Sequence, residues 1–136
     1  HRVDRRQRQM CKETASKYSN SKSYSDFKVA VNKYNEALYF SREDIPSPSR
    51  SGVNRFLKAY HVISFKKEAL KLYTTLERLE LESIEGHDHL RFLEHGFKVK
   101  IGIVEHTSYS IDTPEDLAKI RLDMQHDALF LQYQMQ

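Results

Sequence analysis

Residues 97–117 read FKVKIGIVEHTSYSIDTPEDL, and two periodicities meet inside this stretch. Up to residue 105, apolar Phe97, Val99, Ile101 and Ile103 alternate with Lys98, Lys100 and Gly102, the period of a strand with one buried face. Further on, Thr113 has the chemistry of a helix N-cap and Pro114 suits the first helical position, while Glu115 and Asp116 favour the positive end of the helix dipole. Thr113 and Asp116 also stand at capping-box spacing. A strand therefore gives way to a helix, with Asp112 at the junction. Ligands of α/β sheets gather beyond the carboxyl ends of strands. Asp112 is thus either a plain turn cap or a carboxylate placed to hold a divalent metal against a phosphate.

Upstream, residues 80–95 have helical spacing, with Ile84, Leu90 and Leu93 as core candidates and Gly96 as the stop. Gly86 costs this helix roughly 1 kcal/mol relative to Ala and marks a possible break. Glu82, Glu85, Asp88 and His89 recur at separations that gather them on one helical side, either a solvated face or one turned to a substrate. His87 and His89 would not share a helix face, which argues against a His-x-His metal site. Residues 56–64 (FLKAYHVIS) read as a buried strand and 65–76 as a helix. The runs FKVAV at 27–31 and ALYFS at 37–41 form a β-hairpin, followed by a Pro/Ser-rich loop over 42–52. Strand, helix, strand and helix in this order predict α/β layers with an added hairpin.

At 136 residues the chain is long enough for one domain that buries roughly two thirds of its unfolded surface. With 30% charged residues and a mean hydropathy of −0.70, no apolar run approaches membrane-spanning length or the core of a signal peptide. A single cysteine, Cys11, cannot form an internal disulfide, which fits a reducing cytoplasm. Residues 1–17 carry Arg2, Arg5, Arg6, Arg8, Lys12 and Lys17 against Asp4 and Glu13, so the net charge of +3 resides in the amino-terminal arm. We therefore divide the chain into a basic, polar, flexible arm at 1–25 and one α/β domain at 26–136. The arm lacks aromatic interleaving and any nucleic-acid-binding motif, and nucleic acid is not an expected partner. The glycines Gly52, Gly86, Gly96 and Gly102 are isolated, so the chain has no glycine-rich phosphate loop.

Motifs at separate places carry a resemblance. Residues 37–42 (ALYFSR) with Ile45-Pro46, then 90–96 (LRFLEHG) with Val99, then 110–117 (SIDTPEDL) closely resemble the carboxyl-terminal half of the 3-deoxy-manno-octulosonate (Kdo) cytidylyltransferases, also called CMP-Kdo synthetases. The match runs from about Asp26 to the end. It implies part of a Rossmann-like nucleotidyltransferase fold. The family's reaction is attack of a sugar-acid hydroxyl on the α-phosphate of CTP with Mg²⁺, releasing pyrophosphate. By the same resemblance, Asp112 is a metal ligand and Arg42 lines the sugar-acid pocket. Glu85 contacts the sugar, with Asp88 and His89 beside it. Relatives carry Gln at the place of His89, His or Gln at Ala59, and Ser at Gly86.

The family's nucleotide loop and first metal carboxylate belong to an amino-terminal half that residues 1–25 do not resemble. The resemblance thus implies the sugar-acid-binding and dimerising half of a cytidylyltransferase, inactive by itself, with no residue assigned as catalytic. Its partners would be a sugar acid such as Kdo, CTP once the missing segment is supplied, and a second copy of the chain. The alternative is a non-catalytic homodimeric interaction module derived from that family.

Overall fold

The computed structural model describes residues 9–18, 26–105, 111 and 113–134. They belong to two compact units, residues 1–106 and 107–136. The boundary differs from the single unit expected at 26–136. Asp112 lies outside the described residues.

The first unit is a mixed sheet of β1 (Gln9–Tyr18), β2 (Lys28–Val31), β3 (Ala37–Ser41), β4 (Phe56–Phe65) and β5 (Lys98–Val104). Its order is β3-β2-β4-β1-β5. β1 runs antiparallel to β4 and parallel to β5, and β2 is antiparallel to β3 and β4. Helices α1 (Lys67–Tyr73), α2 (Glu80–Glu85) and α3 (His89–Glu94) connect β4 to β5. The α/β class and the hairpin are as expected.

The arm is where the expectation fails. Residues 9–18, assigned to a flexible arm, are an inner strand of the sheet. Alternation is present after all: Cys11, Glu13 and Ala15 are buried while Lys12 and Lys17 are exposed. A buried glutamate at the centre of that face hides the pattern from any reading based on apolar residues.

Burial is greatest where α3 meets the sheet. Leu90 and Phe92 of α3 join Cys11, Ala15, Phe40 and Val99 in one apolar cluster. The Phe92 ring lies 5.3 Å from Tyr73 and 6.4 Å from Phe97, so it joins α1 to the start of β5.

The hairpin is fastened by polar contacts. Asn32 Oδ1 accepts from the N–H groups of Tyr34 (2.8 Å) and Glu36 (3.1 Å), which holds the turn, and Asn35 takes a positive φ of 54°. The turn then reaches β5: Ile101 N–H donates to the Asn35 carbonyl at 2.8 Å, and Lys98 Nζ donates to both Glu36 oxygens at 2.9 and 2.8 Å. The outermost strands are thus tied at one corner.

In the second unit α4 (Pro114–Met124) starts with the expected capping box. Asp116 N–H donates to Thr113 Oγ1 at 3.1 Å and Thr113 N–H to Asp116 Oδ2 at 3.0 Å. α4 ends at Met124 and does not continue to the carboxyl end. α5 (Ala128–Gln134) begins anew because Asp127 Oδ1 accepts from Phe130 N–H at 2.8 Å.

The Lys98 contact lowers the Glu36 carboxyl below its usual range, chiefly through the hydrogen bond from Lys98. A lowered folded-state value means the contact stabilises above the unfolded value and fades as pH falls through the folded one. Lys98→Met should cost about 0.5–1 kcal/mol at neutral pH in urea unfolding, with the difference vanishing in acid. A cost that persists at low pH would assign it to the lysine stem instead.

Candidate functional site

β3 ends at Ser41, and α2 ends at Glu85, where Gly86 takes φ 67° and closes the helix with its N–H on the Glu82 carbonyl at 2.9 Å. That left-handed turn explains why a glycine stands there. It also separates α2 from α3, so the continuous helix expected over 80–95 does not form.

Glu85 is directed at β3. Its Oε1 accepts from Ser41 Oγ (2.7 Å) and Tyr39 OH (3.3 Å), and its Oε2 from the backbone N–H of Arg42 (3.1 Å). The Tyr39 hydroxyl is pushed up by burial first and then by the Glu85 charge. The Arg42 carbonyl accepts from Lys28 Nζ, and Lys28, 1% exposed, also lies 3.7 Å from Asp44. The Arg42 guanidinium sits over the Phe27 ring at 4.1 Å.

From Phe27 the contacts continue inward as a stack of rings. His87 meets Phe27 edge-on at 4.3 Å and lies against Phe40 at 4.4 Å, and Phe40 faces His89 at 5.2 Å. His89 N–H donates to His87 Nδ1 at 3.3 Å. At the end of the stack His89 Nε2 lies 3.4 Å from Glu13 Oε2 of β1, with both side chains buried. Glu13 Oε1 accepts from Thr14 N–H at 2.9 Å. On one continuous helix the two histidines would point to different faces. His87 lies between helices, and the rings are 5.0 Å apart.

The expected site residues therefore separate. Arg42 and Glu85 meet directly, and His89 joins them only through the ring stack, buried at 2% exposure. Asp88 is exposed, and its charge acts on Tyr73 and Arg91. Glu82, grouped with these by spacing, is buried and held by Arg91 Nε and Nη2 at 2.7 and 2.6 Å. No single polar helix face exists. Lys28 and Glu13 escaped the sequence reading, since a lone charged residue in a strand carries no motif.

Cys11 is buried in β1, and burial, then the nearby Glu13 charge, pushes its thiol up to about 12, which fits an inert core position. Among the described residues no group of three or more His, Cys, Asp or Glu side chains could hold a metal ion. The carboxylate that the resemblance assigns to a metal, Asp112, lies outside these residues. No helix among them is long and apolar enough to cross a membrane.

The 3-deoxy-manno-octulosonate cytidylyltransferase of Parabacteroides distasonis is 40% identical over 102 residues, covering 68% of this chain and 39% of its own length. That of Nitratiruptor sp. is 42% identical over 93 residues, with the same coverage of both. A CMP:2-keto-3-deoxy-manno-octonic acid synthetase solved in complex with CTP superposes with a TM-score of 0.76 at 29% identity, covering 86% of this chain and 49% of the other. No protein-family model matches the chain. The chain spans about two fifths of the length of these curated relatives.

Glu13→Ala would leave His89 facing an empty buried site. Loss of one partner from such a pair should cost about 3 kcal/mol, read from urea unfolding, with Glu13→Gln costing less because it keeps an acceptor. A loss below about 1 kcal/mol for the alanine variant would show that the pair contributes little.

Proposed function

We propose that this chain, a relative of the 3-deoxy-manno-octulosonate cytidylyltransferases, forms the sugar-acid-binding and dimerising half of such an enzyme. The observation that carries this reading is the meeting of Arg42 and Glu85. Arg42 directly follows β3 and Glu85 ends α2, far apart in sequence, and the Arg42 backbone N–H donates to Glu85 Oε2 at 3.1 Å. The Arg42 guanidinium, laid over the Phe27 ring at 4.1 Å, suits a sugar carboxylate, which it can grip through paired N–H groups. His89 connects to this pair only through the ring stack of Phe40, His87 and Phe27. Asp88 stands outside this arrangement, so a sugar contact from it would need a ligand reaching across α3.

In the whole enzyme the chemistry would be transfer of the cytidylyl group from CTP to the sugar acid, with pyrophosphate leaving. Mg²⁺ would neutralise phosphate charge, with Asp112 the residue of this chain assigned to it. The share left to the described residues is to bind and orient the sugar acid. Orientation alone can contribute substantially to rate when the reacting groups are brought together. The reading places the protein in the cytoplasm, where CTP is available.

The dimer proposal rests on β3. It stands last in the strand order, tied to β5 at its start through the Glu36–Lys100 bridge, and Leu38 further along it is 61% exposed. Such an edge is a natural pairing surface for a second copy. The same feature favours the second reading, an interaction module that keeps the dimer surface without sugar binding.

Incubated with CTP, Mg²⁺ and Kdo, the chain alone should yield no CMP-Kdo, and detecting product would overturn the proposed inactivity. Titration with Kdo should shift the NMR resonances of Arg42 and its neighbours; an unchanged spectrum would favour the interaction module. Sedimentation at tens of micromolar protein should show a dimer, and a monomer would remove the pairing role.

A further inference from the structure

We infer that Glu85 and Lys28 act as positioning residues that fix Arg42 by its main chain, rather than as ligands of the sugar acid. This deepens the sugar-acid reading above and rests on it. Both polar groups of the Arg42 backbone are taken by charged side chains from other elements. The N–H goes to Glu85 Oε2 at 3.1 Å, and the carbonyl accepts from Lys28 Nζ. Charge-assisted bonds of this kind are stronger than neutral ones and directional.

Glu85 is also engaged elsewhere. Its other oxygen accepts from Ser41 Oγ at 2.7 Å and Tyr39 OH at 3.3 Å, so the carboxylate already receives three donors from one strand end. A carboxylate so engaged has little capacity left for sugar hydroxyls, and using it for them would release Arg42. Ser41 Oγ further accepts from Glu43 N–H at 3.1 Å, which carries the restraint one residue beyond the arginine. Lys28, at 1% exposure, is too deep to meet a ligand from solvent, and its second contact is Asp44, two residues past Arg42.

The consequence is a chain trace gripped on both sides of Arg42, with its guanidinium laid on Phe27 at 4.1 Å. Fixing the main chain limits where the guanidinium can reach, and a group held in place loses less freedom on binding.

Glutamine separates this role from that of a charged ligand. Its carbonyl can still accept from the Arg42 N–H, while its amide can donate to Ser41 and Tyr39, whose hydroxyls can also accept. The experiment compares the wild-type protein with Glu85→Gln, Glu85→Ala and Lys28→Met, each checked for folding by circular dichroism. It has a ligand-free arm, hydrogen exchange at the Arg42 amide, and a binding arm, calorimetric titration with Kdo. Positioning predicts that Glu85→Ala speeds Arg42 exchange and weakens Kdo about tenfold, the equivalent of one good hydrogen bond. Glu85→Gln should stay near wild type in both, and Lys28→Met should weaken Kdo without touching it.

If glutamine is as damaging to binding as alanine while Arg42 exchange is unchanged, Glu85 is a direct ligand and the inference fails. If Lys28→Met does not fold, the two Glu85 variants still decide. Should the wild-type protein not bind Kdo, the sugar-acid reading falls, and the exchange arm alone then upholds or overturns the clamp on Arg42.

Discussion

A carboxylate without solvent exposure sits in the middle of the sheet, and most of the first unit is arranged around it. Glu13 lies on β1, the strand that joins β4 to β5. Taking such a group out of water costs several kcal/mol unless neighbours replace the lost hydration. Here Thr14 N–H and the His89 ring face its two oxygens. His89 is held in turn by Phe40 and by His87, so the start of α3, β1 and β3 are joined through a single chain of contacts. A polar strand can occupy an inner position of the sheet because of that chain, and β1 pairs with both neighbours over most of its length.

Around Arg42 the same economy of charge appears at smaller scale. Lys28 and Lys58 occur opposite one another on β2 and β4, both buried, and two like charges there would repel strongly. Each has an acid beside it: Asp44 lies 3.7 Å from Lys28 and Asp26 lies 2.7 Å from Lys58. With Glu85 on the Arg42 amide, cations and anions alternate through the region. Networks of this kind are costly when incomplete and rigid when satisfied, which suits a place that must hold one arginine in one position.

The break at Gly86 gives these groups their geometry. As one continuous helix, residues 80–95 would direct Glu85 and His89 by helical spacing alone. As two short helices they are free to turn, Glu85 towards the end of β3 and His89 towards β1. Short helices need help at their ends. The Glu94 carboxylate of α3 accepts from the first amides of α2, Leu81 N–H at 2.9 Å and Glu82 N–H at 3.0 Å, and Arg91 grips Glu82 in return. The angle between α2 and α3 is therefore set by side chains that cross the break.

Local chemistry sufficed for much of this protein. Alternation marked β5 and the hairpin, capping residues marked the start of α4, and three ordered motifs pointed to the cytidylyltransferases, all properties of neighbouring residues that need no distant partner. Arg42 stands in the first of those motifs, and the resemblance reaches Glu85 just ahead of the second. The role of Gly86 as a full break, the contact between His87 and His89, and the strand at residues 9–18 were not legible in this way. Each depends on what lies across the fold: Glu13 reads as a surface residue until His89 is beside it, and Lys28 reads as solvated until the Arg42 carbonyl and Asp44 are found around it. Sequence records which groups need partners, and only the tertiary structure determines which partners they obtain, because burial raises the energy of an unmatched charge far more than any local preference does.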